Sequence, residues 1–88
     1  MANIYDYTFI KRGSNRLKLM KCLNDGKKTQ AEIHKITGLY RTHIRRSIDE
    51  LVSKKFVKCL NPKDRIYKLY ELTEKGKNVM KEISNDNS

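Results

Sequence analysis

Apolar residues recur along this chain with helical spacing in three central stretches and again near its end. Leu17, Met20 and Leu23 fall on one stripe of a helix that Ser14 is placed to cap. Asn24-Asp25-Gly26 ends that helix, with Gly26 suited to a left-handed C-terminal position. Thr29-Gln30-Ala31-Glu32 has the capping-box pattern, Thr at the N-cap and Glu three residues on. The short helix it opens turns Ile33 and Ile36 inward and stops at Thr37-Gly38, where glycine permits a tight turn that Leu39 plugs from inside. A longer helix over 40–54 follows, with Ile44, Ile48, Leu51 and Val52 on one face.

Beyond this helix the pattern changes. Residues 56–60 and 66–72 are β-prone runs, and 61–65, Asn-Pro-Lys-Asp-Arg, is turn-forming, which predicts a hairpin with a basic tip. Thr73 is a good N-cap for a last helix whose stripe is Val79, Met80 and Ile83, although Gly76 weakens its first turn. Residues 84–88 should fray as a tail. Residues 1–13 form an N-terminal arm that periodicity does not settle: Tyr5, Tyr7 and Phe9 alternate as in a strand, while Ile4, Tyr7 and Ile10 share a helical stripe.

The order is helix, helix, helix, hairpin, helix, with a tight turn at Gly38 between the second and third helices. That order predicts a mostly helical α+β fold, a winged helix-turn-helix. It would have a three-helix core, a two-stranded β-wing and a C-terminal helix, in a single domain over 1–88.

Charge narrows the function. Among 88 residues, 20 are Lys or Arg and 10 are Asp or Glu, a net charge of +10, which calls for DNA, RNA or an anionic surface as partner unless it is a merely solvated Lys-rich face. So short a domain buries a thin core and leaves no room for a deep catalytic cleft. No apolar run approaches the about 20 residues that span a bilayer, and Met1 to Ile10 lacks the pattern of a signal peptide. Cys22 and Cys59 are far apart with no Cys-x-x-Cys spacing, the usage of two reduced thiols in a cytoplasmic protein.

The segment TQAEIHKITGLYRTHIRRSIDELVSKKFV, from Thr29 to Val57, resembles the helix-turn-helix of MarR- and ArsR-like winged-helix regulators. KCLNPKDRIYKLYELTEKGK, from Lys58 to Lys77, resembles the wing and following helix of small archaeal regulators of that kind, and NRLKLMKCL their opening helix. The likeness runs from about Tyr5 to Ile83. It implies a DNA-binding transcriptional regulator. One departure is Phe56, where the family often has Gly, so the turn from helix to wing is expected to differ.

On that reading the 40–54 helix lies in the major groove of double-stranded DNA. With Ile44, Ile48 and Leu51 inward, Thr42, Arg45, Arg46 and Asp49 face outward, flanked by Arg41 and His43. Arginine can bind guanine by two hydrogen bonds and threonine can touch a thymine methyl; the alternative is phosphate contact, or pairing with Asp49 or Glu50. Tyr40 reaches a phosphate or packs on Leu39. Lys63 and Arg65, on the 61–65 wing, clamp the backbone or enter the minor groove, unless they are only a solvated tip. Arg12, Arg16, Lys27 and Lys28 are weaker phosphate candidates, and His34 and His43 are surface histidines by default. No catalytic grouping, metal site, cofactor or small-molecule effector is expected. A homodimer is expected, joined through Val79, Met80 and Ile83 with Tyr5, Tyr7 and Phe9, unless those side chains complete the monomer's core. Two other functions fit the same features: a sequence-indifferent chromosomal DNA-coating protein, or a winged-helix module that binds protein or RNA.

Overall fold

The computed structural model describes residues 3–86. Asn3 fixes the start: its side-chain oxygen accepts from the Asp6 N–H at 2.9 Å and caps helix α1 (Ile4–Arg12). The arm is therefore helical, and of the two periods in it the Ile4, Tyr7, Ile10 stripe prevails. Ile10 is fully buried and Tyr7 half-buried, while Ile4 stays exposed. Gly13, with extended backbone, joins α1 to α2 (Ser14–Asn24), so Ser14 is the first helical residue and no side chain caps this helix. Leu19, Met20, Cys22 and Leu23 are buried, and Leu17 packs half-buried against them. Gly26 then turns the chain at φ +136°.

The residues before the capping box hold a strand the sequence conceals. β1 (Lys28–Thr29) is two residues long and carries no apolar alternation. The capping box itself forms: Thr29 Oγ1 accepts from the Glu32 N–H, and Glu32 Oε1 accepts from the Thr29 N–H at 2.9 Å, opening α3 (Gln30–Thr37). Ile33 is buried. Ile36 is not inward as its spacing suggested but 60% exposed, because α3 is only two turns long and Leu39 fills the core beneath the turn. Gly38 ends the helix at φ +73°, and the turn is tied by side chains as well: Thr37 Oγ1 donates to Ile33 O and accepts from the Leu39 N–H. His34 lies 2.6 Å from the Leu39 carbonyl through Nδ1. A carbonyl only accepts, so Nδ1 carries the proton. His34 is thus a half-buried tie across the turn rather than a surface histidine.

α4 (Arg41–Ser53) buries Ile44, Ser47, Ile48 and Leu51, while Val52 lies at the rim, 36% exposed. Its exit explains the departure at Phe56. The Phe56 N–H donates to Leu51 O at 2.9 Å and the Lys55 N–H to Val52 O at 3.0 Å, the paired bonds of a Schellman cap. The left-handed position of that cap falls on Lys55, φ +70°, one residue before Phe56. Phe56 is free to be a fully buried core residue, stacked 6.0 Å from Phe9.

β2 (Val57–Cys59) and β3 (Leu69–Leu72) pair with Val57 opposite Leu72 and Cys59 opposite Tyr70, and β1 pairs on the other side of β3, Lys28 opposite Tyr70. The wing strands therefore belong to a three-stranded antiparallel sheet, order β1-β3-β2, rather than a two-stranded one. Ile66 and Tyr67 are not in β3. Their N–H groups both donate to Asp64 Oδ1, at 2.9 Å each, which withdraws them from the ladder. Thr73 Oγ1 accepts from the Gly76 N–H and opens α5 (Glu74–Asp86). This helix includes residues 84–86, so they are not a loose tail; 87 and 88 lie outside the described residues.

Val79, Met80 and Ile83 are all buried in the same core as Ile10, Leu19 and Phe56. They complete the monomer and are not available for the dimer contact expected of them. Gly76 in the first turn of α5 is buried against the Phe56 carbonyl, where a Cβ would fall well under 3.0 Å from the oxygen. Among the described residues there are five helices and one three-stranded sheet. None of the helices is long and apolar enough to cross a membrane.

Candidate nucleic-acid interface

The tied turn at Thr37–Tyr40 sets the direction in which α4 leaves α3. With Ile44, Ser47, Ile48 and Leu51 committed to the core, the opposite face of α4 carries Arg41, Thr42, His43, Arg45, Arg46 and Asp49, all exposed. Tyr40 is the N-cap residue rather than the first of the helix, and supplies no side-chain cap. It is 73% exposed, with its ring edge-on to His43 at 5.7 Å.

The structure divides these side chains between two hollows. Arg41, Arg45 and Asp49 line one flank of a groove of about 750 Å³ whose other flank is the wing, including Lys63, Arg65, Ile66 and Tyr67. The floor comes from Thr29, Gln30 and Tyr70. Arg46 and His43 look the other way, into a smaller hollow of about 290 Å³ shared with Gly13 to Arg16 at the start of α2. So Arg41, Arg45, Lys63 and Arg65 come together around one groove, and Arg46 and His43 do not join them.

Among the described residues none of Arg41, Arg45, Arg46, Lys63 and Arg65 is held in an ion pair. Glu50, a candidate partner for Arg46, pairs with Arg16 at 3.6 Å instead. Arg16 also donates through Nε to Phe9 O at 2.9 Å and lays its guanidinium 4.0 Å over the Phe9 ring. It is a brace joining α1, α2 and α4, which commits it to the fold. Lys28 reaches back to Gly26 O at 3.3 Å, while Arg12 and Lys27 are exposed.

The wing is stiffened from within. Asn61 donates through Nδ2 to Tyr67 O and accepts from the Leu69 N–H, both at 2.7 Å, clasping the two arms of the loop. The two N–H groups bound to Asp64 hold its carboxyl below the ordinary carboxylate range, so it remains a charged acceptor. Lys63 and Arg65 stand exposed on this frame. Lys68 and Gln30 are groove residues that the sequence reading did not single out. Alternation from Ile66 would have placed Lys68 on the same side of the hairpin, whereas Gln30, which donates to the Tyr70 hydroxyl at 3.5 Å, is set there only by the β1–β3 pairing. Burial raises the Tyr70 hydroxyl above its usual value and keeps it neutral. Among the described residues no three His, Cys, Asp or Glu side chains gather as a metal site, and Cys22 and Cys59 are unbridged.

The arrangement is a winged helix-turn-helix, and solved structures share it. A MarR family regulator from Neisseria meningitidis superposes with a TM-score of 0.76 over 97% of this chain and 63% of its own, at 20% identity. BpsR from Bordetella bronchiseptica, whose DNA binding is regulated by 6-hydroxynicotinic acid, gives 0.76 over 82% and 56%, at 23% identity. A mutant of ZitR from Lactococcus lactis gives 0.74 over 83% and 51%, at 22% identity. The chain thus spans between about half and two thirds of the length of these structures. No protein-family model matches the sequence, and no curated protein matches it.

Proposed function

We propose that the protein is a transcriptional regulator that binds double-stranded DNA, with α4 in the major groove and the wing against the backbone or minor groove. One observation supports this reading above the others: Arg41, Arg45, Lys63 and Arg65 stand exposed around the groove between α4 and the wing, with Arg46 exposed on the other side of α4, and none of the five is held in an ion pair. A regular helix fits the major groove, and cations spaced along it and along a flanking hairpin match two lines of phosphate. Fold neighbours named for regulated DNA binding or as a regulator favour DNA as the partner.

Arg45 and Arg46 are the candidate base readers, one on each side of the helix crest, with Thr42 between them. Arg41, Lys63 and Arg65 are candidate phosphate contacts, and Tyr40 and His43 extend the edge of the face. A homodimer would place two α4 helices at half-sites about 34–36 Å apart. With the α5 stripe buried, the exposed Ile4 and Tyr5 on α1 are candidates for such a contact.

Fluorescence anisotropy on duplexes over a range of salt tests the reading. If 6–10 phosphates are contacted, affinity falls roughly 10³–10⁵-fold between 50 and 200 mM salt. Lys63→Ala with Arg65→Ala should weaken all duplexes alike and lower the salt slope by about 2. Arg45→Ala or Arg46→Ala should cost about 1–3 kcal/mol on preferred sites and much less on others. A flat salt response would refute DNA binding. Equal, sequence-independent losses in all the variants would leave a DNA-coating protein instead.

A further inference from the structure

The wing carries two large apolar side chains that the fold does not bury: Ile66 is 79% exposed and Tyr67 68% exposed. Both line the groove that faces Arg41 and Arg45. Their exposure is built, not a consequence of slack chain. Asp64 Oδ1 takes both of their N–H groups at 2.9 Å, and Asn61 takes the Tyr67 carbonyl and the Leu69 N–H at 2.7 Å. The side chains of two polar residues thus hold an apolar pair outward on a loop that would otherwise continue β3.

Charge around the pair selects its occupant. Lys63, Arg65 and Lys68 flank it on the wing, and Arg41 and Arg45 face it across the groove. The carboxylates nearby are Asp49 and Asp64, and Asp64 is turned onto its own backbone. An apolar tip ringed by cations fits a surface whose rims are anionic and whose interior is not. The minor groove of duplex DNA has that form: phosphates along the edges, sugars and base edges within.

We propose that Ile66 enters the minor groove and partly unstacks one base step, with Tyr67 packed on the sugar wall and Asp64 and Asn61 as positioning residues. The proposal rests on the DNA-binding reading above. An inserted apolar side chain kinks the duplex by roughly 20–90°. The distortion is easiest at pyrimidine–purine steps. The wing then contributes sequence preference without a hydrogen bond to a base.

The test uses the full chain and a set of duplexes bearing 2-aminopurine beside a single TA step, the step moved one base pair at a time. Binding is read by anisotropy and unstacking by 2-aminopurine fluorescence. Wild type should bind with a fluorescence rise at one register. Ile66→Ser should abolish the rise and weaken binding by about tenfold or more, with the salt slope unchanged because no charge is altered. Ile66→Met should keep the rise, and Asp64→Ala should diminish it while Ile66 is still present. Binding without a rise at any register, or an Ile66→Ser variant with wild-type affinity, would overturn the proposal and leave the pair as a contact for a protein partner. Failure of wild type to bind any duplex would overturn the DNA-binding reading itself, and this inference with it.

Discussion

Replacing Gly76 by alanine should destabilise the protein, although alanine is the better helix former. In an open helical position the exchange raises stability by up to about 1 kcal/mol. Here the new Cβ would lie well under 3.0 Å from the Phe56 carbonyl oxygen, 3.2 Å from its carbon and 3.4 Å from Leu72 Cβ. The first two are backbone atoms fixed between the cap of α4 and the start of β2, so α5 must withdraw. Overpacking of this kind costs about 1–3 kcal/mol. Withdrawal also strains the Thr73 N–H bond to Phe56 O, 3.0 Å long, a bond of a class worth about 0.5–1.5 kcal/mol. With the propensity gain of about 1 kcal/mol subtracted, the net loss is about 0.5–3.5 kcal/mol, centred near 2. At roughly 4–8 °C per kcal/mol for a domain of this size, the central value lowers Tm by about 8–16 °C. Thermal melts followed by circular dichroism measure it, with Asn78→Ala on the exposed side of α5 as a control expected within about 0.5 kcal/mol of wild type. A Gly76→Ala protein as stable as wild type, or more so, would refute the close approach.

Lys55→Gly should act in the opposite direction. Relief of a left-handed lysine is worth about 1–2 kcal/mol, and the added freedom of glycine in the unfolded chain takes back about 0.5–1, so urea titration should show a gain of up to about 1.5 kcal/mol. Thr29→Ala breaks the capping box and should lower stability by about 0.5–2 kcal/mol in the same assay. Glu32 is held below the ordinary carboxylate range by the Thr29 N–H and hydroxyl, and Asp64 by the Tyr67 and Ile66 N–H groups. A carboxyl with a lowered folded pKa contributes fully above its unfolded value and loses that contribution as pH falls through the folded one. Tm should therefore decline on acidification below about pH 4–5, and Glu32→Gln and Asp64→Asn should each flatten that decline.

The parts legible in the sequence are those fixed by local pattern. Thr29-x-x-Glu32 and Gly38 mark both ends of α3, and the period of Ile44, Ile48 and Leu51 fixes which face of α4 is left for a partner. Features decided by tertiary contact were not legible. β1 exists because Lys28 and Thr29 meet Tyr70 and Leu69 of β3, far along the chain, and two polar residues carry no period of their own. The stripe of α5 reads as a dimer contact with the core as the alternative, and its packing with Ile10, Leu19 and Phe56 assigns it to the core. Ile66 and Tyr67 look like strand residues, and the Asp64 carboxylate removes them from the strand. Of the candidate site, the exposure of the α4 and wing residues was legible. The division that sends Arg41 and Arg45 toward the wing and Arg46 toward α2 depends on the angle at which the hairpin crosses the helix, which no local pattern encodes.

On the reading proposed above, α4 and the wing together read duplex DNA. Selection of bound sequences from a pool of random duplexes, at one fixed salt concentration, tests it most directly. A single motif should be enriched, preference at individual positions should be lost when Arg45 or Arg46 is replaced by alanine, and the motif should be retained at lower affinity when Lys63 and Arg65 are replaced. Recovery of bound duplexes with no enriched motif, or no recovery at all, would contradict it.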